Sequence, residues 1–183
     1  MARQIIETTT TMNGWGQKKT TKKIKDELFC DTIVMSEKES VLAKSERNDC
    51  VVRAFMVALD MSYDKTHEWV RKEFNRVNRS GVYTSRYLKN VLGRMKNGKR
   101  ITLFGVSPGH SYSFGDKELY NPKYKGKKTC YTVKSFMEDY PKGRFFIIVK
   151  GHALALVDGV LYGNGSEQFN GFRRRIHYVV KVG

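Results

Sequence analysis

The chain reads as an α+β domain, with helices in its first part and an antiparallel sheet in its last. Three observations predict this. Between residues 50 and 95 apolar side chains recur at helical spacings. From residue 145 onward, short runs of β-branched and aromatic residues alternate with turn signals. Between two of these runs stands Asp158-Gly159, a strong hairpin signal. A length of 183 residues with 40% hydrophobic content suffices for one domain with a real core.

Residues 1–27 are poor in apolar groups and carry Thr8-Thr9-Thr10-Thr11 and Lys18, Lys19, Lys22, Lys23 and Lys25. They read as a basic mobile arm, and residues 28–183 as the single domain. Thr32-Ile33-Val34-Met35 is strand-like. After Ser45-Glu46-Arg47-Asn48-Asp49, the run from Cys50 through Val51, Val52, Arg53, Ala54, Phe55 and on to Leu59 is apolar nearly all round. It predicts a buried helix with Cys50 in its first turn and Asn48 or Asp49 as cap. Ser62 or Asp64 caps a second helix to about Phe74, with Trp69, Val70 and Phe74 on one side and Arg71, Lys72 and Arg76 on the other. Thr84 caps a third, to about Met95, whose inner face is Tyr87, Leu88, Val91, Leu92 and Met95. Residues 101–106 read as a strand, followed by a long surface loop without sustained period. Thr132 caps a short helix that Pro141 and Gly143 stop. Strands are expected at 145–149, 153–157, 160–162 and 176–182.

Composition excludes several classes. Three scattered cysteines form no disulfide framework or cysteine-rich zinc site, and His67-Glu68 lacks the second His that a helical zinc-protease motif requires. Neither a phosphate-binding loop nor a dinucleotide fingerprint is present; no metal and no cofactor is expected. No window approaches the roughly 18–20 apolar residues of a membrane span, and no signal peptide is apparent. The expected location is the cytoplasm of a host cell or the inside of a virion. With 34 Lys plus Arg against 18 Asp plus Glu, the formal charge is +16, a field that attracts polyanions. The basic clusters are Lys18, Lys19, Lys22 and Lys23 in the arm, the third helix, Lys123-Tyr124-Lys125-Gly126-Lys127-Lys128, and Arg173, Arg174 and Arg175. They make nucleic acid or another polyanion a candidate partner, without a motif for sequence recognition.

The chemistry gathers at Cys50. At the start of a helix, backbone N–H groups and the helix dipole favour thiolate over thiol. His152 opens the strand leading into the Asp158-Gly159 hairpin, and a two-residue turn pairs position 152 with about position 165. Gly163-Asn164-Gly165 therefore returns beside His152, where Asn164 can orient the imidazole as third member of a Cys-His-Asn set. Cys30 and Cys130 lack such neighbours, and His110 reads as a loop residue.

The stretch Glu46-Arg47-Asn48-Asp49-Cys50-Val51-Val52-Arg53-Ala54, followed much later by Gly143-Arg144-Phe145, Gly151-His152-Ala153 and Val157-Asp158-Gly159-Val160, resembles papain-like cysteine peptidases. It is most similar to the small type encoded by bacteriophages and bacteria. The resemblance covers about residues 45–182. It implies a papain-like fold with the nucleophile helix packed on a C-terminal antiparallel sheet, Cys50 as nucleophile, His152 as base, and acyl transfer through a thioester. Papain-like enzymes usually bind the oxyanion with a Gln shortly before the Cys. Here Asn48 takes that place, with the Cys50 backbone N–H as second donor. The third residue, often Asp, is Asn164. His177-Tyr178 is similar to the late His-aromatic pair of ovarian-tumour-type deubiquitinases, whose Asp three residues before the Cys is Arg47 in this chain. The expected activity is that of a thiol hydrolase, a peptidase or amidase acting on a peptide or amide. The alternative is a catalytically silent basic structural or virion protein with the same fold, binding nucleic acid or a protein partner.

Overall fold

A computed structural model of the chain describes residues 6–12, 18–24, 28–115, 117–123, 129–165 and 171–183, the first two segments as backbone alone. Within the expected arm, β1 (Ile6–Met12) and β2 (Lys18–Ile24) pair as an antiparallel two-stranded sheet, where the composition had predicted no regular structure. Lys18, Lys19, Lys22 and Lys23 lie on β2; their side chains, and residues 124–128 of the second basic cluster, are outside the described part.

The remaining strands are β3 (Phe29–Asp31), β4 (Met95–Lys96), β5 (Lys99–Val106), β6 (Arg144–Val149), β7 (His152–Val157), β8 (Val160–Gly163) and β9 (Ile176–Val182). They form one sheet in the order β3-β8-β7-β6-β9-β5-β4. Its pairs are antiparallel except β3 with β8. The helices are α1 (Thr32–Glu39), α2 (Val41–Ser45), α3 (Cys50–Leu59), α4 (Tyr63–Glu73), α5 (Thr84–Tyr87) and α6 (Val133–Asp139). The architecture is thus α+β, but the order is not simply helices first and sheet last: β3 precedes the helices, and α6 lies between β5 and β6.

Pleating sorts the side chains of the central strands onto two faces. Phe146, Ala153 and Ala155 join the core beneath α3 and α4, whereas Phe145, Ile147, Leu154 and Leu156 join the core beneath α6. Phe55 of α3 stacks on Phe146 with ring centroids 3.9 Å apart, and meets Trp69 of α4 edge-on at 5.1 Å. The alanines of β7 leave room for α3 to settle directly on that strand, which brings the helix start to the strand start.

Local signals set most boundaries. Asp158 (φ 47°) and Gly159 (φ 82°) both adopt the positive φ that the predicted two-residue turn demands, and β7 and β8 pair as Val157↔Val160 through Ala155↔Tyr162. Thr132 caps α6, its hydroxyl accepting from Ser135 N at 3.2 Å while Ser135 Oγ accepts from Thr132 N.

Three expectations need correction. Thr32-Ile33-Val34-Met35 is helical, because Asp31 Oδ1 accepts from Ile33 N at 2.8 Å and starts α1 there. The third helix stops at Tyr87, continues as 3₁₀ over Leu88–Asn90, and gives way to β4, because Gly93 N and Arg94 O are hydrogen-bonded to Ile101 instead. Thr84 is no cap; its Oγ1 accepts from the Tyr178 hydroxyl. Arg76, expected on a polar face, is buried at 3% exposure.

Ala155→Leu inserts bulk between α3 and β7 and should lose about 1–3 kcal/mol in urea unfolding. A neutral result would mean that the helix does not rest on this strand.

Candidate active site

Glu46 to Cys50 is irregular until α3 begins, and buried charge gives it its shape. Arg76 Nη2 donates to Glu46 Oε2 at 2.6 Å and to Arg47 O at 3.2 Å, and Arg76 Nη1 donates to His67 Nε2 at 2.8 Å. Glu46 Oε2 also accepts from Arg79 N at 2.9 Å. Burial alone would push the Glu46 carboxyl up; the bonds from Arg76 and Arg79, with the Arg76 charge, outweigh it and hold the group below its ordinary range. Asn48 adopts φ 53°, which Asn tolerates, and its Nδ2 donates to Arg79 O at 3.2 Å.

Asp49 precedes α3 but does not cap it with its side chain. Its Oδ2 accepts from Arg53 Nε at 2.8 Å and from the Tyr63 hydroxyl at 2.5 Å. Burial and the Asp49 carboxylate keep that phenol protonated far above its usual range. Arg53 Nη1 reaches Ser36 Oγ at 2.6 Å, and its Nη2 reaches Ala43 O at 3.3 Å, tying α3 to α1 and α2. At the other end of α3, Arg144 Nε donates to Ala58 O at 2.8 Å and Arg144 Nη2 to Val57 O, while Asn97 Nδ2 donates to Leu59 O at 2.9 Å. The helix therefore has carbonyl caps from two other parts of the chain.

So placed, Cys50 lines a cleft of about 520 Å³ together with His152, Asn164 and Asn48. The four sequence-predicted site residues thus come from four separate places: the loop before α3, the start of α3, the start of β7 and the chain just after β8. The backbone amides of Ala153, next in sequence to His152, and of Val51 and Cys50 favour the thiolate form of Cys50. The β7–β8 ladder has the register expected from the turn and ends at Ala155↔Tyr162, after which Asn164 leaves the sheet. Gly165 lets the Asp31 carboxylate come close, since a Cβ there would lie 2.5 Å from Asp31 Oδ2 and push that side chain aside.

Two features differ from the sequence reading. The helix start was expected to lower the Cys50 pKa. Burial instead raises the thiol above its ordinary value of 9.0; the amides of Ala153, Val51 and Cys50 pull it down, and the Asp49 charge adds to the rise. His177, for which the resemblance was to a different peptidase group, also lines the cleft. It is the unpaired residue of a β-bulge, for Ile148 faces Tyr178 and Val149 faces Ile176. Its ring lies 4.1 Å from that of His110, and burial, His110, Arg174 and Lys150 all press its pKa down. Val82, Tyr83, Tyr112, Ile148 and Tyr178 supply apolar and aromatic wall. Among the described residues, no cluster of His, Cys, Asp and Glu has the arrangement of a metal site.

Arg173 and Arg175 are exposed at the entry to β9. No helix among the described residues is long and apolar enough to cross a membrane. No family model matches the chain, and no curated protein or solved structure matches it either.

Alkylation of Cys50 by iodoacetamide, read by mass spectrometry, should still accelerate above pH 9; a plateau below neutral pH would show a preformed thiolate. Glu46→Ala leaves Arg76 buried without its carboxylate and should cost about 3–5 kcal/mol in denaturant unfolding. Because the Glu46 pKa is depressed in the folded state, its stabilisation is complete above its ordinary 4.5 and is lost as pH falls through the folded value. Wild type should therefore lose stability on acidification more steeply than Glu46→Gln.

Proposed function

We propose that the chain is a papain-like thiol hydrolase, a peptidase or amidase of the phage and bacterial type. The observation that supports it most is the convergence of Cys50, His152 and Asn164 on one cleft. His152 takes the thiol proton as the sulfur attacks the acyl carbon, Asn164 orients the ring, and the protonated imidazole returns its proton to the departing amine. Water activated by His152 then hydrolyses the thioester. The N–H groups of the first turn of α3 have no acceptor within the helix and are available to the oxyanion. Asn48 can add its second amide hydrogen, the first being held by Arg79 O. With a thiol whose pKa is raised, proton transfer accompanies attack instead of preceding it.

One observation favours the alternative of a catalytically silent, basic virion or structural protein. The raised thiol is what an inert buried cysteine shows.

A panel of fluorogenic peptide amides separates the two. Wild type should release fluorophore, and Cys50→Ala and His152→Ala should be silent while keeping wild-type circular dichroism and melting. If Cys50→Ala retains every function while deletion of Lys18 to Lys25 or of Arg173 to Arg175 abolishes it, together with salt-sensitive nucleic-acid binding, the binding protein is the right reading.

A further inference from the structure

Among the described residues that line the cleft, Asp49 is the one acid, and its carboxylate is taken up by Arg53 and Tyr63. Beside the lining, cations outnumber acids: Asp31 lies at Gly165, next to Asn164, against several basic residues. Arg47 precedes Asn48, Arg79 accepts the Asn48 amide on its carbonyl, Arg86 follows Ser85, and Lys150 stands between Val149 and Gly151; all four are exposed. The Arg174 guanidinium donates to Lys150 O, which sets a further cation beside Lys150. Their field reaches inside, for after burial and His110 it is Arg174 and Lys150 that disfavour a proton on His177. A cleft bordered by charge of one sign concentrates ligands of the opposite sign, all the more between low-dielectric walls.

We infer that the cleft selects acidic peptides, in which a carboxylate beside the scissile amide is received by Lys150 and Arg174 at one rim and by Arg47 at the other, the Arg79 guanidinium being held by Ser45 O. A peptide is favoured over a nucleic acid because the nucleophile among the lining residues is a thiol, whose chemistry is with acyl carbon. The substrate class rests on the hydrolase reading; the preference for anions does not.

The test compares two alkylating agents on Cys50 of the full chain, anionic iodoacetate and neutral iodoacetamide, with adducts located by mass spectrometry. In both, the sulfur displaces iodide. The iodoacetate-to-iodoacetamide rate ratio, divided by the same ratio for free cysteine, should be about tenfold above unity at low salt, the lower end of such focusing. It should fall toward unity near about 0.5 M salt. Lys150→Glu with Arg174→Glu should lower it several-fold; if that variant misfolds, the salt titration of wild type decides. A glutamate-containing peptide amide should protect Cys50 from iodoacetamide better than its lysine counterpart. A ratio near unity at low salt overturns the inference, as does protection by an oligonucleotide but not by the acidic peptide. Should the peptide amides never be cleaved while the ratio is high and salt-sensitive, the hydrolase reading fails and the anion preference stands.

Discussion

Two buried guanidinium groups hold the candidate site in place. Arg76 grips Glu46 and the Arg47 carbonyl, and Arg53 grips Asp49, so the irregular segment before Cys50 is clamped from both sides. Neither cation has access to water that would compensate a lost partner, since Arg76 is 3% and Arg53 4% exposed. A different path for the segment would leave each cation buried without its carboxylate. The path decides where α3 begins, and the caps from Arg144 and Asn97 decide where it ends. Between those limits, Ala153 and Ala155 let the helix lie on β7, with the sulfur at the amide that follows His152.

The same burial that makes the clamp strong acts against the nucleophile. Desolvation and the Asp49 charge oppose the thiolate, and the amides around the sulfur recover only part of the loss. A site with this balance keeps its cysteine as a thiol at rest. Under the proposed mechanism, its reactivity would depend on an acyl group arriving and on an imidazole able to take the proton at that moment. His177, whose pKa is lowered by burial and then by His110, Arg174 and Lys150, lies in the same cleft.

The parts of this arrangement that were legible in the sequence are those encoded locally. The apolar run from Cys50 to Leu59 marks α3 as a buried helix, and the Asp158-Gly159 turn gives the hairpin its register. With those two, the meeting of Cys50, His152 and Asn164 could be foreseen. Asn97-Gly98 is an equally local signal, at φ 49° and 69°, and its hairpin between β4 and β5 cuts short what periodicity reads as a continuing helix. The clamp was not legible. Arg76 looks like any other cation on an amphipathic helix, and its burial depends on Glu46, thirty positions away in sequence. The bulge at His177 was equally hidden, because a one-residue slip between β6 and β9 leaves no mark on the alternation of either strand. The Gly143-Arg144-Phe145 motif was visible as a pattern, but its task of capping α3 emerges only from the fold.

The central claim is that Cys50 and His152 act as one unit on acyl carbon. Acetylation of Cys50 by p-nitrophenyl acetate at neutral pH, followed by intact mass in wild type and in His152→Gln, tests it most directly. The account predicts a single acetyl group on Cys50 in wild type, formed about 100-fold faster than in the variant, the lower range for a positioned general base. Equal rates in the two proteins would contradict it and leave Cys50 a structural thiol.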